Sequence, residues 1–573
     1  MATEAIIQDF ITNKVPVFRV GDVEYERSVA TANLLYRFTR PDCVVQPEGA
    51  GHVQYIVTQA KARGVSLTIK NGGHSYAGFS STDSGILLDL VRMKKVEIDR
   101  PSMMVTLQGG CQWGHAYKQL VNERMNGSII NGGRCPTVGV SGFTLGGGLG
   151  PFTRSFGMGC DTLKEATIVT ADGRLVTVTE SDDPKSDKGR LFWALCGAGG
   201  GNFGVVVELK LKIQTLQNSK GEVVAGRFTW MPKPDEMGDF MQTMTRFYTT
   251  DWPEQMTLDS SWLCDLKETS SELGVRVLSY FDGSKGEFED VINKFVENPV
   301  LKKQLKRRSM AEPSTRFLHE TLVSQWSEET VKSFPTNRSY QIYTSFVFKN
   351  DRSRMKAVTE TIRQEMQAFR RLFKGEQGLL QVTWIHSGGE ASRKKRSATA
   401  FRWRDCTYHV YIMLQWEDKW LERDMWGFLG QFKKELQPYS MMGRAAFINF
   451  PDRTLTTAAH EKVYYGNNRQ ELQRIKRIWD PENFFNWNQG IQSPASPREN
   501  LEVQSRILPI QFSGETAISP AAADEEEVGG EEVSLDEKDL TDKIAGSQWK
   551  DVSLPPQNAV GGSGVFALTD LGF

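Results

Sequence analysis

No apolar run in this chain approaches the length of a membrane-spanning helix, and the first eighteen residues lack the continuous apolar core of a secretory leader. The reading is therefore an intracellular, cytoplasmic protein with no membrane partner. No Lys/Arg run is dense enough to track a phosphate backbone, and the formal net charge is only -1 over 573 residues, which argues against nucleic acid. Cysteine is sparse: seven, an odd number without CxxC spacing, give neither a zinc site nor a disulfide framework. No metal is expected. Repeats of fixed period are missing too. The near-neutral balance hides an asymmetry, because from 493 onward acids far outnumber bases and apolar residues thin out. Residues 493–573 read as a disordered acidic tail.

What the chain has in abundance is glycine, concentrated in loops. Between Gly132 and Gly150 eight positions are glycine, namely Gly132, Gly133, Gly139, Gly142, Gly146, Gly147, Gly148 and Gly150. A backbone without Cβ atoms reaches conformations and approach distances that other residues forbid, and its bare amides suit an anion such as a pyrophosphate. One thiol, Cys135, is fixed there by Pro136. A second loop of the same kind, Asn71-Gly72-Gly73-His74-Ser75-Tyr76-Ala77-Gly78, carries a single imidazole. A third, Gly197-Ala198-Gly199-Gly200-Gly201-Asn202-Phe203-Gly204, imitates the dinucleotide fingerprint. It runs into the strand-like Val205-Val206-Val207, where that fingerprint requires a helix, so a tight turn beside a cofactor is the better reading.

Around these loops, apolar periodicity predicts a helix ending at Gly64, a strand over Val65 to Ile69, short strands over Ile86 to Leu90, Val96 to Asp99 and Met103 to Leu107, and a helix from Trp113 to Glu123. Asp172-Gly173 marks a hairpin between Leu163 to Thr170 and Leu175 to Val178. From Gly221 to Asn449 strand-like runs (Val275 to Tyr280, Gln341 to Phe348, Leu379 to Ile385, Tyr408 to Trp416) alternate with charged amphipathic helices. The expected fold class is α+β, with an antiparallel sheet backed by helices as a second domain. The boundaries read as 1–220, 221–449 and a return segment 450–492.

The motifs Gly72-Gly73-His74-Ser75, Gly133-Arg134-Cys135-Pro136-Thr137-Val138-Gly139, Gly146-Gly147-Gly148-Leu149-Gly150, Leu191-Phe192-Trp193-Ala194-Leu195, Gly201-Asn202-Phe203-Gly204 and Asp480-Pro481-Glu482-Asn483-Phe484-Phe485 occur in one order. In them the chain resembles the berberine-bridge-enzyme-like FAD-linked oxidoreductases, within the vanillyl-alcohol-oxidase, or PCMH-type, FAD-binding superfamily. The resemblance covers about Asp42 to Gln492. It implies a two-domain FAD-binding PCMH-type fold, with that domain at about 38–217, and FAD attached bicovalently through the ring of His74 and the sulfur of Cys135. It further implies cofactor contacts from Gly72, Gly73, Ser75, Val138, Gly139, Ser141, Gly142, Gly146, Gly147, Gly148, Gly150, Gly201, Asn202, Gly204, Val205, Asn486 and Asn488.

For the chemistry, the resemblance implies that Tyr464 is part of the base, that Tyr76 lies near the flavin ring and that Tyr411 faces substrate. A phenol serves as a base only where neighbours lower its pKa. Val138 is the smaller of two alternatives associated with oxygen access to the flavin. Leu149 and Leu195-Cys196 depart from the usual family residues, so substrate placement does not carry over. The implied activity is oxidation of a small alcohol, sugar, amine or secondary-metabolite intermediate by hydride transfer, with O2 as acceptor and H2O2 as product. The alternative is a protein that keeps FAD for a non-redox cyclisation or simply binds a ligand.

Overall fold

The structure is a computed structural model that describes residues 2–31, 33–325 and 339–493. The acidic tail expected beyond 493 lies outside the described residues.

Short apolar runs separated by turns become two small sheets that carry the glycine loops. In the first, the strands run in the order Val17–Phe18, Cys43–Val45, Ile86–Asp89, Leu67–Lys70, the last three mutually parallel. Helix Ala50–Ala62 makes the crossover between two of them, burying Val53, Ile56, Val57 and Ala60 at helical spacing. It stops at Gly64, whose φ of +63° is the left-handed conformation that ends helices. Strand Leu67–Lys70 then delivers the His74 loop directly from its end. An N-terminal helix, Ala2–Thr12, adds Ile6, Ile7 and Phe10 to the same core.

The second sheet is antiparallel, in the order Val96–Asp99, Met104–Gln108, Gly204–Lys212, Leu163–Thr170, Leu175–Thr179. Its hairpin turns at Asp172-Gly173, with Gly173 at φ +78°. Helix Trp113–Asn122 buries Trp113, Ala116, Tyr117 and Leu120 and leads toward the Cys135 loop. The third glycine loop follows helix Asp187–Ala198 and opens strand Gly204–Lys212, so it is a turn between helix and strand and not a dinucleotide fingerprint.

A seven-stranded antiparallel sheet fills the middle of the chain, in the order Ser309–Pro313, Glu222–Trp230, Gly274–Phe281, Met256–Asp265, Gly378–His386, Tyr408–Trp416, Tyr340–Phe348. One face presents Leu258, Trp262, Val275, Val277, Leu380, Val382, Val410 and Ile412 to helices Met237–Thr249, Arg352–Leu372 and Glu422–Leu436. Each buried Phe or Met of those helices, such as Phe240, Met366, Phe369 and Phe432, contributes roughly 1.5–3 kcal/mol of apolar burial, so this face fixes the register of the whole sheet. The alternate residues, Asp259, Ser261, Arg276, Gln381, Thr383 and Tyr411 among them, turn the other way and line a cavity. This is the α+β architecture the sequence pattern predicts, with its helix-backed antiparallel sheet. Strands Glu222–Trp230 and Met256–Asp265 had no counterpart in that pattern.

Among the described residues no helix is long and apolar enough to cross a membrane, and no cluster of His, Cys, Asp and Glu has metal-site geometry. All seven cysteines are free thiols.

Candidate active site

The His74 and Cys135 loops pack back to back. A Cβ on Gly72 would stand 2.5 Å from the Gly139 amide nitrogen, and one on Gly139 would overlap the Asn71 side chain. These two glycines therefore exist for loop-to-loop contact as much as for a ligand. Asn71 locks the arrangement: its Nδ2 donates to the Cys111 carbonyl at 3.2 Å and its Oδ1 accepts from the Ser141 amide at 3.2 Å.

This packing brings both reactive side chains onto one hydroxyl. His74 Nε2 lies 2.8 Å from Thr137 Oγ1, and Cys135 Sγ lies 3.3 Å from the same atom. Burial holds the imidazole below its ordinary pKa, so His74 is neutral with a lone pair at neutral pH. Burial also pushes the Cys135 thiol up, against the opposing pull of the Thr137 hydroxyl and nearby backbone amides.

Both groups line a cavity of about 880 Å³, near the upper end of the ~300–1,000 Å³ typical of ligand pockets. Gly72, Gly73, Ser75, Val138, Gly139, Ser141, Gly142, Gly146, Gly201, Asn202, Gly204 and Asn486 are in its wall. A Cβ on Gly142 or Gly200 would point into open space there, which leaves backbone accessible to a ligand. A cavity with bare backbone, a neutral imidazole and a thiol side by side in its wall suits a cofactor carrying an electrophilic ring.

Several residues expected at the cofactor do other work. Gly147 and Gly148, at φ +115° and +78°, make room for Phe401 and Phe143 and stand outside the cavity wall, as does Gly150, which abuts the Gly132 carbonyl. Val205 is a core residue of the first sheet's cluster, and Asn488 is exposed and outside the cavity wall. The Ser141 hydroxyl is spent on the Gly109 carbonyl at 2.7 Å. Asn202 accepts from Trp487 Nε1 at 3.0 Å and the Ile491 amide at 2.9 Å, so its side chain anchors the return segment. Lys476, fully buried and paired with Asp480 at 2.7 Å, reinforces that anchor by donating to the Asn202 and Phe485 carbonyls.

Tyr464, expected as part of the base, is engaged by neighbouring groups. Its hydroxyl donates to Gln489 Oε1 at 2.8 Å and accepts from the Asp452 amide at 3.1 Å, and the ring stands outside the cavity wall. Burial, with the Asp452 carboxylate beside it, pushes the phenol well above its ordinary pKa, the opposite of what a base needs. The neighbouring Tyr465 is the one that reaches the wall. Tyr76 and Tyr411 both face the cavity, in an aromatic group the sequence did not reveal. Tyr76 stacks on Tyr343 with centroids 4.0 Å apart and on Phe450 at 5.6 Å, while Tyr411 lies 4.5 Å from Phe450.

Two further residues escaped the sequence reading as functional positions. Arg134, next to Cys135, donates to the Leu149 and Gly150 carbonyls at 2.8 and 3.2 Å and forms an ion pair with Asp259 on the opposite sheet. Burial pushes the Asp259 carboxyl up, with Arg134 opposing. Asp259 also accepts from the His386 amide at 2.9 Å. Among the described residues it is the carboxylate of the cavity wall. Beside it a polar chain runs along the sheet, Gln381 Nε2 to Thr383 Oγ1 at 2.7 Å and Thr383 to Ser261 Oγ at 2.9 Å.

Residues 41–179 match the family model of the FAD binding domain, and residues 446–492 match that described as berberine and berberine like. In these two segments the chain is similar to the berberine-bridge-enzyme-like FAD-linked oxidoreductases. It is 26% identical over 481 residues to an uncharacterised FAD-linked oxidoreductase of Bacillus subtilis, covering 82% of this chain and 95% of that one. To the tetrahydroberberine oxidase of Berberis wilsoniae it is 23% identical over 529 residues, 86% of this chain and 94% of the relative. A xylooligosaccharide oxidase of Thermothelomyces thermophilus is 36% identical over 214 residues, 37% of this chain and 41% of its own length. Among solved structures, berberine bridge enzyme from Eschscholzia californica superposes with a TM-score of 0.71 at 21% identity, covering 85% of this chain and 98% of that one. Chitooligosaccharide oxidase gives 0.70 at 20%, covering 86% and 100%. The match to the FAD binding domain, residues 41–179, contains both the His74 and the Cys135 loops.

Proposed function

We propose that this enzyme oxidises a hydroxyl-rich small molecule, of the sugar type, on an FAD attached to both His74 and Cys135, with O2 as acceptor. The observation that carries the reading is the meeting of those two side chains at one end of a cavity whose facing wall is a polar and aromatic sheet. FAD, when bound, supplies a two-electron acceptor for hydride and passes the pair to O2, giving H2O2.

The sheet wall binds and orients. Amides and hydroxyls of Gln381, Thr383, Ser261, Gln341 and Gln415 offer donors and acceptors for substrate hydroxyls, and the faces of Tyr76, Tyr343 and Phe450 offer flat apolar surfaces beside them. The xylo- and chitooligosaccharide oxidases among the relatives support a substrate of this type. Asp259 takes the hydroxyl proton: an ionised carboxylate near neutral pH is a better acceptor than a phenol, whose ordinary pKa is about 10. Tyr411, across the same wall, orients the substrate oxygen, and Arg134 holds Asp259 in place. Val138 stands beside the tethers where oxygen must arrive.

Anaerobic mixing with a panel of mono- and oligosaccharides tests the proposal. Bleaching of the flavin absorbance by at least one sugar, followed by stoichiometric H2O2 on admitting air, is expected. A flavin that stays oxidised with every sugar yet bleaches with an alkaloid or terpenoid phenol would overturn the substrate class.

A further inference from the structure

We infer that the Thr137 hydroxyl is a proton relay from the Cys135 thiol to His74 Nε2, and that it is what allows the cysteine bond to the flavin to form. The inference rests on the double attachment proposed above. Its basis is that one hydroxyl, 3.3 Å from the sulfur and 2.8 Å from the ring nitrogen, can accept one hydrogen bond and donate another. Pointed from sulfur toward imidazole, the chain reads S–H to Oγ1 and Oγ1–H to Nε2. That use of Nε2 leaves Nδ1 as the nitrogen for bonding to the flavin methyl carbon, and an imidazole substituted at Nδ1 still carries a lone pair on Nε2. In the order inferred, the histidine bond forms first, and the tethered imidazole then serves as base for the cysteine.

The cysteine needs such help. Its thiol is held protonated by burial, opposed by hydrogen bonds from Thr137 and nearby backbone; the thiolate, not the thiol, is the nucleophile. In the step proposed, Cys135 sulfur forms a bond to an unsubstituted carbon of the flavin benzenoid ring while its proton moves to Thr137 Oγ1 and the Thr137 proton moves to His74 Nε2. The ring accepts the electron pair. Loss of the ring carbon's own hydrogen as a proton leaves a two-electron-reduced flavin, which O2 reoxidises with formation of H2O2. Thr137 is a positioning residue, since it acts through its two neighbours.

The test is a time course of covalent attachment in the full chain, comparing wild type with Thr137→Val and Thr137→Ser by peptide mass. Valine keeps the shape and removes the relay, so flavin joined to the His74 peptide alone should accumulate and formation of the Cys135 bond should slow at least tenfold. Serine keeps the hydroxyl and should restore double attachment. A Thr137→Val protein that becomes doubly linked at the wild-type rate would overturn the relay and leave the double attachment standing. A Thr137→Ser protein that behaves like valine would also overturn it, because loss of a packed methyl group, not of the hydroxyl, would then be the cause. Wild type releasing all its flavin on denaturation would remove the double attachment itself and the relay with it.

Discussion

Arg134 and Asp259 form an ion pair that joins the Cys135 glycine loop to the seven-stranded sheet across the cavity. The arginine is held by three groups at once: the Leu149 and Gly150 carbonyls on its own side and the carboxylate on the other. Its ring contact with Tyr280, centroid at 5.6 Å, completes the seat. The pair therefore ties the loop that carries Cys135 to the sheet wall across the cavity.

Two consequences follow for variants of this pair. With Asp259 as the proposed proton acceptor, Asp259→Asn should lower the anaerobic flavin-reduction rate by about a hundredfold or more. It also strands a guanidinium whose side chain is 21% exposed, so the stability loss should fall at or below the low end of the ~3–5 kcal/mol seen when buried pairs are broken. Replacing both partners, Arg134→Met with Asp259→Leu, should recover most of the stability and none of the rate. Urea unfolding and stopped-flow reduction on the same three proteins separate the two effects, and a double variant as slow to unfold yet fully active would contradict the role of Asp259.

Tyr464→Phe should leave flavin reduction and its pH dependence unchanged. The phenol is pushed well above its ordinary range, so it stays protonated through the working pH and contributes no titrating limb. The hydroxyl lost is the partner of Gln489 and the Asp452 amide, and leaving those buried groups unsatisfied costs about 1–3 kcal/mol. A thermal or urea midpoint is the sensitive measurement here. A hundredfold fall in reduction rate at unchanged stability would return Tyr464 to the chemistry.

The difference between Tyr464 and Tyr411 shows what the sequence could and could not reveal. Strand Tyr408–Trp416 is flanked by turns and alternates cleanly, so its extent was legible residue by residue, and the apolar face packed on helices turns Tyr411 to the cavity. Tyr464 sits in a short helix, His460–Tyr465, and its hydroxyl partners come from a loop 12 and a segment 25 residues away, a contact with no local signature. Asp259 was missed for a related reason. Met256–Asp265 begins in alternation, but Ser260 on the face of Leu258 and Trp262, and Leu263 on the face of Asp259 and Ser261, interrupt the apolar pattern that marks strands. The glycine loops were visible at once, but their residues divide between the cavity and loop packing by close approaches that only the folded chain displays, as Gly72 on Gly139 does.

Val138→Leu should slow reoxidation of the reduced enzyme by O2 far more than reduction by substrate. Val138 is part of the cavity wall three residues from Cys135, and an added methylene there can obstruct a diatomic without displacing a tethered ring. Separate stopped-flow half-reactions read this directly; equal slowing of both would make Val138 a packing residue.

The central claim is that His74 and Cys135, gathered on Thr137 at 2.8 and 3.3 Å, both hold the flavin. The most direct measurement is acid denaturation of the full chain followed by proteolysis and mass analysis. The account predicts that the yellow colour stays with the protein and that the peptides containing His74 and Cys135 are recovered joined through one FAD. Free FAD in the supernatant, with both peptides at their unmodified masses, would contradict it.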